Sequence, residues 1–104
     1  MTTIRIWRDK QGHVSRIQAS GHSDYAEEGS DIVCASVSVL MTTCANALQS
    51  VADCIPTVSV DEARGIMDLF VSNPENETVQ TIVKTILQGL SDVSEAYPKY
   101  VQIK

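Results

Sequence analysis

The chain has 104 residues, 43% hydrophobic and 20% charged, which is the length of a single domain (1–104) and a globular rather than disordered composition. Thirteen acidic residues against eight basic ones leave a net charge of −5, which disfavours direct nucleic-acid binding, normally the work of a basic face. Three cysteines with no C-x-x-C pair exclude a secreted disulfide scaffold and point to the reducing cytoplasm.

Thr3 to Arg8 alternates, with Ile4 and Ile6 on one face and Arg5 and Trp7 on the other, and predicts a strand. No apolar leader segment is visible in Met1 to Arg8. Asp9-Lys10-Gln11-Gly12 reads as a hairpin turn, with His13 exposed beside it, and Val14 to Ser20 as the returning strand. Gly21 to Ser30 has no periodicity and reads as a loop. From Asp31 the period becomes helical: Val33, Val37, Leu40, Met41, Cys44, Leu48, Val51, Ala52 and Ile55 form one apolar stripe ended by Pro56, with Ser30 or Asp31 as the cap. Residues 32–52 carry no charge, a length that would span a bilayer, but seven Ser, Thr, Asn and Gln residues interrupt them. A buried helix of a soluble domain is therefore expected, with no membrane.

Thr57 to Glu62 and Ile66 to Val71 predict a second hairpin around Arg64-Gly65. Ser72-Asn73-Pro74-Glu75 reads as a helix start. Val79, Ile82, Val83, Ile86, Leu87, Leu90, Val93 and Tyr97 then trace an amphipathic helix stopped by Pro98. Tyr100 to Ile103 predicts a last short strand. The order ββαββαβ implies an α+β fold in two layers, two helices on one face of a mainly antiparallel sheet.

Chemistry concentrates at the loop and the helix that follows it. Cys34 falls in the first helical turn, where unpaired N–H groups and the helix dipole favour a thiolate. Cys44 lies on the apolar stripe and Cys54 near the helix end, and both read as structural. Ten residues of helix separate each cysteine from the next, roughly 15 Å of rise, so the three cannot share a metal. His22 follows the second strand and can meet Cys34 across the loop as a thiolate–imidazolium pair; a loop His and a buried Cys that never touch is the alternative. Asp31 precedes Cys34 by one turn and either caps the helix, orients His22, or does both. Ser38 lies four residues after Cys34 on the same face, lining the site or bonding back to the helix. His22, Asp24, Glu27, Glu28, Asp31 and Cys34 are potential metal ligands, but their spacing fits neither a calcium loop nor a zinc site. No metal and no cofactor is expected. Asn76-Glu77-Thr78 matches a glycosylation triplet, a coincidence where no secretory signal is visible.

Residues 21–38, Gly21-His22-Ser23-Asp24-Tyr25-Ala26-Glu27-Glu28-Gly29-Ser30-Asp31-Ile32-Val33-Cys34-Ala35-Ser36-Val37-Ser38, closely resemble the G-H-x-x-x-A-x-x-G-x-D-I-V-C-A-x-V-S signature of the ribosomal-processing cysteine proteases, Prp. The element order and length resemble that family too. The resemblance implies an endopeptidase that removes a short N-terminal extension from large-subunit ribosomal protein twenty-seven. Cys34 would be the nucleophile, His22 the general base and acid, and Asp31 and Ser38 supporting residues, in a cytoplasmic homodimer whose partner is the ribosomal protein precursor. On this reading backbone N–H groups at the helix start hold the oxyanion. The loop, with Gly21 and Gly29 at its ends and Ser23, Asp24 and Tyr25 within it, closes over the peptide as a lid. The net charge of −5 steers a basic substrate. Two other readings use the same loop: a non-catalytic ribosome-associated binding module, and a thiol hydrolase or transferase acting on small molecules.

Overall fold

The computed structural model describes residues 1–27 and 31–104. Five strands and two helices follow in the order β1 (Thr2–Arg8), β2 (Val14–Ser20), α1 (Ile32–Ser50), β3 (Thr57–Asp61), β4 (Ile66–Phe70), α2 (Glu77–Ala96) and β5 (Val101–Ile103). The strands form one sheet in the order β3-β4-β2-β1-β5. Both hairpins and the β2–β4 pair are antiparallel, and only β5 runs parallel to its neighbour, β1. Parallel pairing there follows from connectivity, because α2 intervenes between the hairpins and β5 and returns the chain to the far edge of the sheet.

The register sets the two faces. Ile4 pairs with Ala19, Ile6 with Ile17, and Ile17 with Leu69. These side chains, with Val33, Val37, Met41, Cys44 and Leu48 of α1 and Val79, Val83, Ile86 and Leu90 of α2, make one core between the sheet and both helices. The uncharged α1 is long and apolar enough to cross a membrane by length and composition, yet its stripe is one wall of this core. On the open face Arg16 stacks over Trp7 and Phe70, 4.0 and 4.7 Å from the ring centroids. Asp68 fixes it there through two charge-assisted hydrogen bonds of 2.8 and 2.7 Å.

Two helix boundaries differ from the sequence reading. Helix α1 ends at Ser50, not near Pro56, because Asp53 takes a left-handed conformation (φ 53°) and the Cys54 N–H turns back to the Leu48 carbonyl. Val51 and Ile55, counted on the apolar stripe, are consequently exposed. Helix α2 is capped by Asn76, whose side chain accepts the Val79 N–H, and not by Ser72 or Asn73. Asn73 is itself left-handed (φ 50°) and closes a preceding turn with the Asn76 N–H. Gln80, on the buried face of α2, was not anticipated as a structural residue. Its amide accepts the Val14 N–H at 2.9 Å and donates to the Val14 carbonyl at 3.0 Å, replacing a strand partner where the β1–β2 register slips.

Candidate active site

Helix α1 begins on Asp31, and that residue organises everything around the thiol. Its Oδ1 accepts the N–H groups of Val33 and Cys34, each at 2.9 Å, a double N-cap. Its Oδ2 accepts the Ser23 hydroxyl at 2.5 Å and the Tyr25 and Ala26 N–H groups at 3.1 and 3.4 Å. Burial, at 9% exposure, pushes this carboxyl up. The hydrogen bonds from Ser23, Cys34, Ala26 and Tyr25 more than offset that and hold it down at about 2. Asp31 is thus a cap and a tether for the loop, and among the described residues no hydrogen bond joins it to His22.

Ser23, expected only as a loop residue, is 1% exposed and bridges Asp31 to the thiol. Its N–H donates to Cys34 Sγ at 3.2 Å, and the thiol donates to its Oγ at 3.3 Å. No hydrogen bond joins Cys34 to His22 among the described residues. Both nevertheless line the same two depressions, with Ser38 as the third shared wall. One, of about 450 Å³, runs between α1 and the β3–β4 hairpin over Val37, Met41, Val60 and Met67, with Asp61 and Glu62 at its rim. The other, of about 430 Å³, lies toward the loop, bounded by Asp24, Ala26, Asp31 and Ala35. The thiol therefore stands where two grooves meet.

The remaining loop residues are held by contacts their spacing does not show. Gly21 (φ 89°) donates its N–H to the Gly65 carbonyl at 3.0 Å, and a Cβ on it would meet the Met1 carbonyl oxygen at 2.5 Å, so only glycine fits. Asp24 pairs with the Met1 amine at 3.2 Å. Tyr25 packs edge-on between Tyr97 and Tyr100, at centroid distances of 5.4 and 5.3 Å. Gly29, expected at the other end of the loop, lies outside the described residues, as do Glu28 and Ser30. The oxyanion expectation needs correction: the Val33 and Cys34 N–H groups are taken by Asp31 Oδ1, and that of Ala35 by the Asp31 carbonyl. His13 is half-buried rather than exposed, with Nδ1 3.2 Å from Asp9. Among the described residues no three His, Cys, Asp or Glu side chains are grouped as metal ligands.

The other cysteines are unpaired. Cys44 is fully buried in the core, and burial pushes its thiol up to about 11. Cys44→Ala is expected to leave turnover unchanged and to lower stability by about 1 kcal/mol, checked by urea unfolding beside a rate assay. A tenfold loss of turnover at unchanged stability would mean that the nucleophile is misplaced.

Residues 1–102 match the family model of the cysteine protease Prp. The ribosomal processing cysteine protease Prp of Staphylococcus aureus is 28% identical over 103 residues, covering 99% of this chain and 97% of that protein. The crystal structure of S. aureus Prp with a covalently linked product peptide superposes with a TM-score of 0.94, at 28% identity, over all of this chain and 98% of that one. The structure of S. aureus Prp with a substrate peptide gives 0.89 at 27% identity, with the same coverage. A Streptococcus mutans protein also gives 0.89, at 33% identity over all of this chain and 92% of its own.

Proposed function

The chain is a cysteine protease of the Prp family, and on that basis we propose that it removes the N-terminal extension of large-subunit ribosomal protein twenty-seven, with Cys34 as nucleophile and His22 as general base and acid. The observation that carries this reading is the thiol at the junction of two grooves, with His22 on the wall of both. An extended peptide needs room on each side of its scissile bond, whereas a small-molecule hydrolase needs one closed pocket. The apolar floor formed by Val37, Met41, Val60 and Met67 suits hydrophobic side chains, and the acidic rim of Asp61 and Glu62 suits a basic substrate.

The steps follow from the groups present. His22 accepts the Cys34 proton, and the thiolate attacks the scissile carbonyl to give a tetrahedral oxyanion. Since the Val33, Cys34 and Ala35 N–H groups are occupied, the Ser23 N–H, which already touches the sulfur, is the donor beside the developing charge. His22 returns the proton to the leaving amine as the C–N bond breaks. Water, deprotonated by His22, then attacks the thioester and releases the new carboxylate and the free thiol. The thiol's present bonds to Ser23 must yield to His22 when peptide binds, which assigns the loop around Ser23, Asp24 and Tyr25 the part of a lid. Asp31 and Ser38 support the site. The enzyme acts in the cytoplasm as a homodimer.

Mass spectrometry of the extended ribosomal protein incubated with the enzyme tests this reading. One N-terminal peptide and one shortened protein are expected, and intact precursor after prolonged incubation would overturn it.

A further inference from the structure

We propose that Gly65, in the β3–β4 turn, is a positioning residue that seats the His22 imidazole; the inference rests on the reading of His22 as the general base. A Cβ built on Gly65 would lie 3.0 Å from His22 Nε2, 3.1 Å from Cε1 and 3.4 Å from Cδ2. The distal edge of the ring thus occupies the space that any side chain at position 65 would need. Nothing else lies among the three nearest atoms, so the obstacle is the movable ring and not the backbone. The same residue holds the chain beside His22, because the Gly65 carbonyl accepts the Gly21 N–H at 3.0 Å. Gly65 therefore fixes the base twice, through the main chain before it and through the surface its ring rests on.

An ordinary carbon contact sits at about 3.5–4.0 Å. A Cβ at position 65 would therefore displace the ring by roughly half an ångström, about the tolerance of a catalytic constellation. Misplacement approaching 1 Å costs on the order of 100-fold in rate. The positive φ of Gly65 (65°) adds turn strain, and Gly12 isolates that effect. It has φ 87° in the other hairpin with nothing within 4 Å of its Cβ position, so Gly12→Ala strains a turn and touches no catalytic group.

The test compares Gly65→Ala, Gly65→Asn and Gly12→Ala with His22→Ala in cleavage of the extended ribosomal protein. Asn tolerates the left-handed backbone but still carries the Cβ, so Gly65→Asn keeps the test open if the Ala variant fails to fold. The two Gly65 variants are expected to lose ~10–100-fold in kcat with KM within ~2-fold, and to shift the limb of the pH–rate profile that reports the base. Gly12→Ala is expected to lower Tm comparably and to leave kcat and the profile unchanged. In the unsubstituted protein, strong cross-peaks between Gly65 Hα and the His22 Hε1 and Hδ2 protons are expected by NMR, a readout that needs no variant to fold. Wild-type kcat in folded Gly65→Ala or Gly65→Asn, an equal kcat loss in Gly12→Ala, or missing cross-peaks would overturn the assignment to Gly65, while an inactive His22→Ala would leave the base reading standing. A fully active His22→Ala would remove the base reading and this inference with it.

Discussion

Cys34→Ala is expected to leave the fold intact and to lower cleavage of the extended ribosomal protein by at least ~10⁴-fold, the scale that follows when a covalent nucleophile is deleted. The side chain is half-buried, lies outside the core cluster, and among the described residues both of its thiol hydrogen bonds go to Ser23, so its truncation removes little packing. Cys34→Ser is expected to be as inactive, because a hydroxyl is a far weaker nucleophile when its partner base is built for a thiol. His22→Ala should fall nearly as far, and the double variant no further, since members of one catalytic unit are grossly non-additive. Rates of precursor cleavage, with circular dichroism beside them, decide it. A folded Cys34→Ala protein that still processes the precursor would end the assignment of the nucleophile. Iodoacetamide labelling separates the enzyme from a binding module: rapid alkylation at Cys34 that slows in His22→Ala is expected of the enzyme, and slow alkylation indifferent to His22 of the module.

Asp31→Ala is expected to have the largest effect on stability. The carboxylate serves two helix N–H groups, two loop N–H groups and a buried hydroxyl. Loss of an N-cap alone costs about 1 kcal/mol, and each buried donor left without a partner costs ~1–3 kcal/mol more. A net loss of about 3 kcal/mol, a fall in Tm of more than ~10 °C, follows even if water reaches some of these groups. Turnover should fall as well, because Ser23 loses its anchor and with it the geometry at Sγ. Asp31→Asn keeps an oxygen for the cap but presents N–H donors to Ser23, Tyr25 and Ala26. It should hold the helix start while releasing the loop, and so lose more activity than stability.

Asp31 also sets a pH dependence. Its carboxyl is held at about 2, below the ordinary 3.8, so the folded chain binds fewer protons than the unfolded one. The stability it contributes is complete above pH ~4 and is lost as pH falls toward ~2. Urea midpoints of the wild type should therefore drop more steeply between about pH 4.5, above both values, and about pH 2.5, between them, than those of Asp31→Asn. Parallel acid profiles would show that the carboxylate is not the responsible group.

Much of this was legible in the chain. Alternation in residues 3–8, 14–20, 57–62 and 66–71 marks strands because side chains on a pleat point to opposite faces, and a 3.6-residue period marks the two helices. Both signals are local, and each survives without knowledge of neighbours. The same holds for Cys34 in the first turn of a capped helix and for the loop whose residues match a protease signature. What the local pattern did not decide is where elements stop and what they meet. The end of α1 at Ser50 depends on Asp53 turning left-handed, and the start of α2 on Asn76 rather than Ser72 or Asn73. The sheet order that places β4 beside β2, and β5 parallel to β1, is set by which faces can be buried together. The working details of the site depend on that order. Gly65 meets the His22 ring only because β4 pairs with β2, Tyr25 finds Tyr97 and Tyr100 only because α2 leads into β5 on the far edge, and Gln80 completes β2 from a helix 66 residues away in sequence. Local periodicity is set by backbone geometry within a few residues and can be read from the sequence, whereas these contacts join segments far apart in the chain and exist only once the core has closed around them.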